Sequence, residues 1–204
     1  MKEYDYISSS CKGGFVKIRL NGRYGFMNSN KEEIVPPKYD WVRGFSDGFA
    51  KVKLNDKWGF VNKEGEEIVS PKYNNVKNFN EGFTIVELDS KCGVINQKGV
   101  EVITLKYKSI SNFKDGLAII KLDDKLGFIN YEGEEKFFIE GKKIGSENRT
   151  LYYQKYKDTI VFKTGCFFGN KEKFIEAIEK THGNNKYAKD YLSYIEDIEK
   201  ELYI

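Results

Sequence analysis

Residues 56–65 read "DKWGFVNKEG", and three other stretches take the same form: "GRYGFMNSNK" at 22–31, "SKCGVINQKG" at 90–99 and "DKLGFINYEG" at 124–133. The residue before the glycine is Trp58 here and Tyr24, Cys92 and Leu126 elsewhere, whereas the glycine and the asparagine do not change. Gly25, Gly59, Gly93 and Gly127 stand 34 residues apart, as do Asn28, Asn62, Asn96 and Asn130. The same step joins Leu20, Leu54, Leu88 and Leu122, then Phe45, Phe79 and Phe113, and then Tyr39, Tyr73 and Tyr107. A fixed period of this length marks a tandem array in which each unit buries its apolar face against the next.

Helical tetratricopeptide arrays also repeat every 34 residues, so the pattern inside the unit decides the class. It alternates. "GFAKVKL" sets Phe49, Val52 and Leu54 toward one side with Lys51 and Lys53 opposite, which is strand periodicity. Asn21-Gly22 and its counterparts Asn55-Asp56, Asp89-Ser90 and Asp123-Asp124 fit two-residue hairpin turns, because these residues tolerate positive φ. Gly65, Gly99 and Gly133 suit the left-handed position of a second turn, where the first copy has Lys31. Each unit therefore offers three short strands, for example 49–54, 58–62 and 67–70, with a fourth extended piece through Val76 to Phe79. The glycine after the variable residue reads as a point of close backbone approach or a bulge, and the asparagine as a side chain that bonds the turn backbone.

The predicted fold is mainly β: tandem 34-residue β-hairpin repeats in an open, curved, solenoid-like array, with a small propeller-like closed array as the alternative. Residues 1–137 form the array and 138–165 a degenerate β cap or linker, whose pieces Leu151–Tyr156 and Thr159–Lys163 make a terminal hairpin. Residues 166–204 form a C-terminal two-helix module. There Asn170 caps a helix over 171–181, Gly183 ends it, and a second helix over 186–202 carries Tyr187, Tyr191, Ile195, Ile198 and Leu202 as one apolar stripe.

The bulk composition excludes several classes. Hydrophobic residues make up 40% and aromatics 15%, enough for a core. The 34 basic and 31 acidic residues are mixed along the chain, so nothing points to nucleic acid or an anionic membrane. No apolar run spans a bilayer, and the first residues lack the apolar stretch of a secretory signal. Cys11, Cys92 and Cys166 form neither a disulfide framework nor a zinc pattern, so a cytoplasmic protein with buried thiols is expected. No metal motif, phosphate loop or nucleophile elbow is present, and no cofactor is expected.

"KWGFVNKEGEEIVSPKY" at 57–73 and "NFNEGF" at 78–83 resemble the bacterial WG-repeat family, over roughly residues 14–137. The resemblance implies tandem β-hairpin units, in general without an assigned enzymatic activity, and brings no catalytic residues. The segment from Thr164 to Lys200, through Thr164-Gly165-Cys166-Phe167, Gly169, Phe174, Thr181-His182-Gly183, Asn185 and Tyr191, resembles a short module of phage and phage-like proteins. That likeness implies a portable docking or stabilising element.

Three functions follow as expectations. The first is non-catalytic recognition of a protein partner through the exposed face of the array. The second is binding of a small molecule, nucleotide or glycan in grooves between units, including sequestration of a host factor or signal by a phage-encoded protein. The row Lys38-Tyr39, Lys72-Tyr73 and Lys106-Tyr107 is the candidate groove. An aromatic cage for a quaternary amine is disfavoured, because Cys92 and Leu126 have no π face. The third is an enzyme using Cys166 and His182, against which stands the structural reading of both: a small buried residue at a tight turn and a histidine at the negative pole of a helix. The oligomeric state is left open.

Overall fold

The computed structural model describes residues 3–8 and 14–203. The chain is mainly β, and the described residues form five four-stranded antiparallel sheets and two C-terminal helices. The first sheet holds β1 (Tyr6–Ile7), β2 (Phe15–Leu20), β3 (Arg23–Asn28) and β4 (Glu33–Tyr39). The second holds β5 (Trp41–Val42), β6 (Phe49–Leu54), β7 (Lys57–Asn62) and β8 (Glu67–Tyr73). The third holds β9 (Asn75–Val76), β10 (Phe83–Leu88), β11 (Lys91–Asn96) and β12 (Glu101–Tyr107), and the fourth β13 (Ser109–Ile110), β14 (Leu117–Leu122), β15 (Lys125–Asn130) and β16 (Glu135–Phe137).

The turn chemistry sets this meander. Asn55 and Asp56 sit at φ 49° and 60°, and Asp89 and Ser90 at 49° and 62°, as a two-residue hairpin turn demands. The second turn closes through Gly65 at φ 85° and Gly99 at 75°, and Lys31 takes φ 65° in the first copy. Beside Gly59 the pairing slips: Trp58 faces Tyr73 but Phe60 faces Val69. The bulge pushes the Val69 carbonyl oxygen into the space a Cβ on Gly59 would need, and the carbonyl of Val35 stands likewise against Gly25. A side chain here would collide with backbone, which is why the glycine outlasts the tryptophan.

Within the array the structure corrects the fourth extended piece and the face of Phe49. The fourth extended piece is Asn75–Val76, not Val76–Phe79, and it pairs forward with β10 of the next repeat through Val76↔Val86 and Asn75↔Glu87. The tight turn at Asn80–Phe83, with Glu81 and Gly82 both at positive φ, ends the extended backbone early. Strict alternation along β6 puts Phe49 on the face of Lys51 and Lys53, opposite Ala50 and Val52.

The two faces of the second sheet join different cores. Ala50, Val52 and Val61 pack with Phe26, Val35, Tyr39 and Phe45. Phe49, Phe60, Val69 and Tyr73 pack with Val76, Phe79, Val86 and Ile95. One phenylalanine plugs each seam: Phe45 lies 4.3 Å from Phe15 and 4.9 Å from Phe26, and Phe79 lies 4.4 Å from Phe49 and 4.8 Å from Phe60. Burying such a ring stabilises by roughly 1.5–3 kcal/mol, enough to offset the ordering of only one or two residues.

The chain groups into two compact units whose boundary runs through the fourth sheet. In the second unit the predicted terminal hairpin proves to be a full sheet: β17 (Ile139–Ile144), β18 (Arg149–Tyr156), β19 (Thr159–Thr164) and β20 (Phe167–Asn170). One face of it meets Phe128 and Phe138 through Tyr152, Tyr156 and Phe168. On the other face Leu151, Tyr153, Ile160 and Phe162 pack against α1 (Lys171–His182) and α2 (Lys186–Tyr203) through Phe174, Ile178, Tyr191, Ile195 and Ile198. Asn170 ends β20 and caps α1 by accepting from the Lys173 N–H, and the Gly183 N–H closes the helix on Glu179 O.

Candidate ligand-binding recess

The asparagine column ties the second turn of each copy. Asn62 Oδ1 accepts from the Glu66 N–H at 2.8 Å while its Nδ2 donates to Glu66 Oε2 at 2.7 Å. Asn28 and Asn130 make the same pair of bonds with Glu32 and Glu134. Asn96 has Val100 at the matching place and keeps only the backbone bonds, from Lys98 and Val100.

The Lys-Tyr row does not line a groove. Tyr39, Tyr73 and Tyr107 are 1%, 2% and 1% exposed, with their rings in the cores. Tyr39 donates its hydroxyl to Glu67 Oε2 at 2.6 Å, and Lys38 reaches the same oxygen at 3.1 Å. Burial, then Glu67, raises the Tyr39 hydroxyl far above its ordinary pKa. Burial alone would raise the Glu67 carboxyl, but the bonds from Tyr39 and Lys38 outweigh it and hold it low. Burial and the charge of Glu101 raise Tyr73 in the same way. Lys38, Lys72 and Lys106 each lie over the following tyrosine ring at 5.1–5.2 Å. Tyr39 and Lys38 thus latch the first sheet to a carboxylate of the second.

Cys166 is exposed, against the expectation of a buried thiol, because it occupies the β19–β20 turn. Cys92 is partly buried, and Cys11 lies outside the described residues. The His182 ring sits 5.9 Å from both Tyr187 and Tyr191, and among the described residues no hydrogen bond joins it to Cys166. No cluster of three or more His, Cys, Asp or Glu among the described residues could hold a metal, and no helix there is long and apolar enough to cross a membrane.

The candidate site in the first unit lies elsewhere. A recess of about 660 Å³ opens over β5 and β6, bounded by Lys17 on β2 and by Asn78 and Phe79 beyond β9. Trp41, Arg43, Phe49 and Lys51 form much of its wall. Three cations line it and no carboxylate does, although acids and bases are nearly balanced in the chain. Trp41 is 46% exposed, stands edge-on to Tyr24 and carries Lys17 Nζ over its ring at 5.3 Å. Lys51 donates to Val76 O at 3.0 Å. Burial, then the charge of Arg43, lowers its pKa from 10.5 to about 8. Asp40, in an adjoining shallow recess, is already paired with Arg23 and accepts from the Asn55 N–H.

Sequence periodicity passed over these residues because they are where it fails. Trp41 becomes Asn75 and Ser109 in later copies, Arg43 becomes Lys77 and Ser111, and Lys17 and Lys51 give way to Ile85 and Ile119. Reading the broken columns, rather than the kept ones, is the signal that finds the recess.

The WG containing repeat family matches at residues 24–58, 58–92 and 93–125, half of the chain. The chain belongs to the WG-repeat family. No curated protein matches it at a significant level. In this WG-repeat protein the matched copies supply the periodic cores and latches, and the recess lies over the first and second of them.

Proposed function

We propose that this WG-repeat protein is a non-catalytic binding protein that holds an anionic small molecule in the recess around Trp41, Arg43 and Lys51. The observation that carries the reading is the gathering of Lys17, Arg43 and Lys51 at one concavity without a carboxylate among the lining residues. Burial first, and then the charge of Arg43, make the Lys51 cation costly, and an anion would offset that cost. A volume of about 660 Å³ suits a drug-sized or nucleotide-sized ligand. This favours the small-ligand expectation over docking of a protein partner. Protein docking remains the second reading, because an exposed Trp beside an Arg is the usual composition of an interface anchor.

The reading assigns no catalysis, with Cys166 and His182 as a turn residue and a helix-end residue. It includes a cytoplasmic location, supported by the free thiols Cys92 and Cys166. The likeness of the C-terminal segment to phage modules supports a phage-related origin, in which binding would sequester a host molecule.

The test is calorimetric titration of the full chain with pyrophosphate and with nucleoside phosphates, followed also by tryptophan fluorescence. Binding that weakens at least about tenfold in Arg43→Ser supports the reading, and the ligand should be recovered chemically unchanged. If no anion binds the wild type better than Arg43→Ser, the anion reading is lost and protein docking takes its place.

A further inference from the structure

The recess has a counterpart one repeat further along, and there the chain fills the space itself. Phe83 stands 34 residues after Phe49. The Tyr131 ring stacks on it at 4.4 Å and 18°, with its hydroxyl donating to Glu81 Oε2 at 2.8 Å. Lys77, in the column of Arg43, donates to Asn112 Oδ1 at 3.0 Å and to Ile110 O at 3.4 Å. Ile85 replaces Lys51, so the counterpart holds two cations, Lys51 and Lys77, and each already donates to protein oxygen, Lys51 to Val76 O and Lys77 to Asn112 and Ile110. One repeat earlier, the residue in the column of Tyr131 is the exposed Gln97. Phe49 lines the recess, and among the described residues no carboxylate pairs with Arg43 or Lys17.

We infer that the recess takes a nucleoside phosphate, its base lying on the Phe49–Trp41 wall as Tyr131 lies on Phe83, and its phosphates meeting Lys17, Arg43 and Lys51. The inference rests on the anion-binding reading above and adds the planar ring. Aromatic walls hold bases of any kind by stacking, so the class is a nucleoside phosphate and not one base. The guanidinium of Arg43 suits two phosphate oxygens at once, and Lys17 and Lys51 act as point charges beside it. An incoming phosphate would restore the full charge of Lys51, so binding takes up a proton and weakens as pH rises above about 8. Arg43 and Lys17 are the other charged groups among the residues lining the recess.

The protein's own repeats supply the test variants. Trp41→Asn, Arg43→Ser and Lys51→Ile each install the residue that a later copy already carries, so the sheets tolerate them. Adenosine, guanosine and uridine diphosphates are titrated into the full chain, with pyrophosphate and adenosine as the two halves of the ligand. A diphosphate should bind at least about tenfold more tightly than either half, since base stacking and charged contacts each contribute about that much. Each variant should lose about tenfold or more while its circular-dichroism melt falls no lower than that of the wild type. Gln97→Tyr should block binding by supplying the missing ring. If pyrophosphate binds as tightly as every diphosphate, the nucleoside class is wrong while the anion reading survives. If Gln97→Tyr binds like wild type, Phe49 is not where a ring lies and the inference fails.

Discussion

The second and third sheets are built to one plan, yet one leaves a recess open and the other closes it. Their seams match closely: Phe45 and Phe79 meet their neighbours at 4.3–4.9 Å and 4.4–4.8 Å. Their rims do not match, since Trp41, Arg43 and Lys51 line an open space, whereas, one copy on, Lys77 bonds Asn112 and Tyr131 stacks on Phe83. The comparison separates two pressures on a repeat. Packing fixes the residues that plug the seams, because a lost ring leaves a void in both copies. Rim residues carry no such load and are free to differ, and it is there that one copy can become a site.

The largest effect should test the sameness of the seams. Phe45→Ala and Phe79→Ala should each destabilise by about 3–5 kcal/mol in urea unfolding, through lost burial and a cavity. Costs differing by more than about 1 kcal/mol would show that the two seams are not energetically alike. Next, Tyr131→Ala should cost about 1–2 kcal/mol by uncovering Phe83 and freeing Glu81, with no effect on anion binding. Loss of anion binding in that variant would place the ligand at the third sheet. Smaller still, Tyr39→Phe should cost about 0.5–1.5 kcal/mol, because Glu67 keeps Lys38. A neutral result by thermal melting would mean that the latch adds nothing beyond the packing of the ring.

The smallest effect has the opposite sign. Lys51→Ile should stabilise by about 0.5 kcal/mol at pH 7, after discounting for partial exposure and the lost bond to Val76. The folded pKa of Lys51, about 8, is below its ordinary 10.5, so the folded state is penalised fully below pH 8. The penalty fades as pH rises toward 10.5, and the advantage of Lys51→Ile over wild type should shrink across that window. An advantage that stays constant from pH 7 to 10.5 would remove Lys51 as the strained cation.

Much of the fold was legible because its causes are local. Asn55-Asp56, Gly65 and the Gly59 column announce turns and a bulge wherever they occur, and Asn170 and Gly183 announce the limits of α1. The forward pairing of Asn75–Val76 was not legible, since two residues carry no period and their partner lies in the next copy. The face of Phe49 was misread because a hydrophobic residue was assigned to the core side without counting strict alternation. β17 and β20 were missed because "IEGKKI" and "FFGN" show little alternation, and it is the helices that cover their sheet. The recess was illegible for a simpler reason. Repeats were sought by what every copy keeps, and the columns of Trp41, Arg43 and Lys51 change from copy to copy.

The forward donation of β5, β9 and β13 bears on how such a chain can lengthen. Each copy hands its last short strand to its successor, so a tandem duplication or loss of one 34-residue segment rejoins donor to acceptor wherever the break falls. Copy number can then drift without new edges to seal, provided the final donor finds an acceptor. Here β17 is received by β18, in the sheet that the two helices cover.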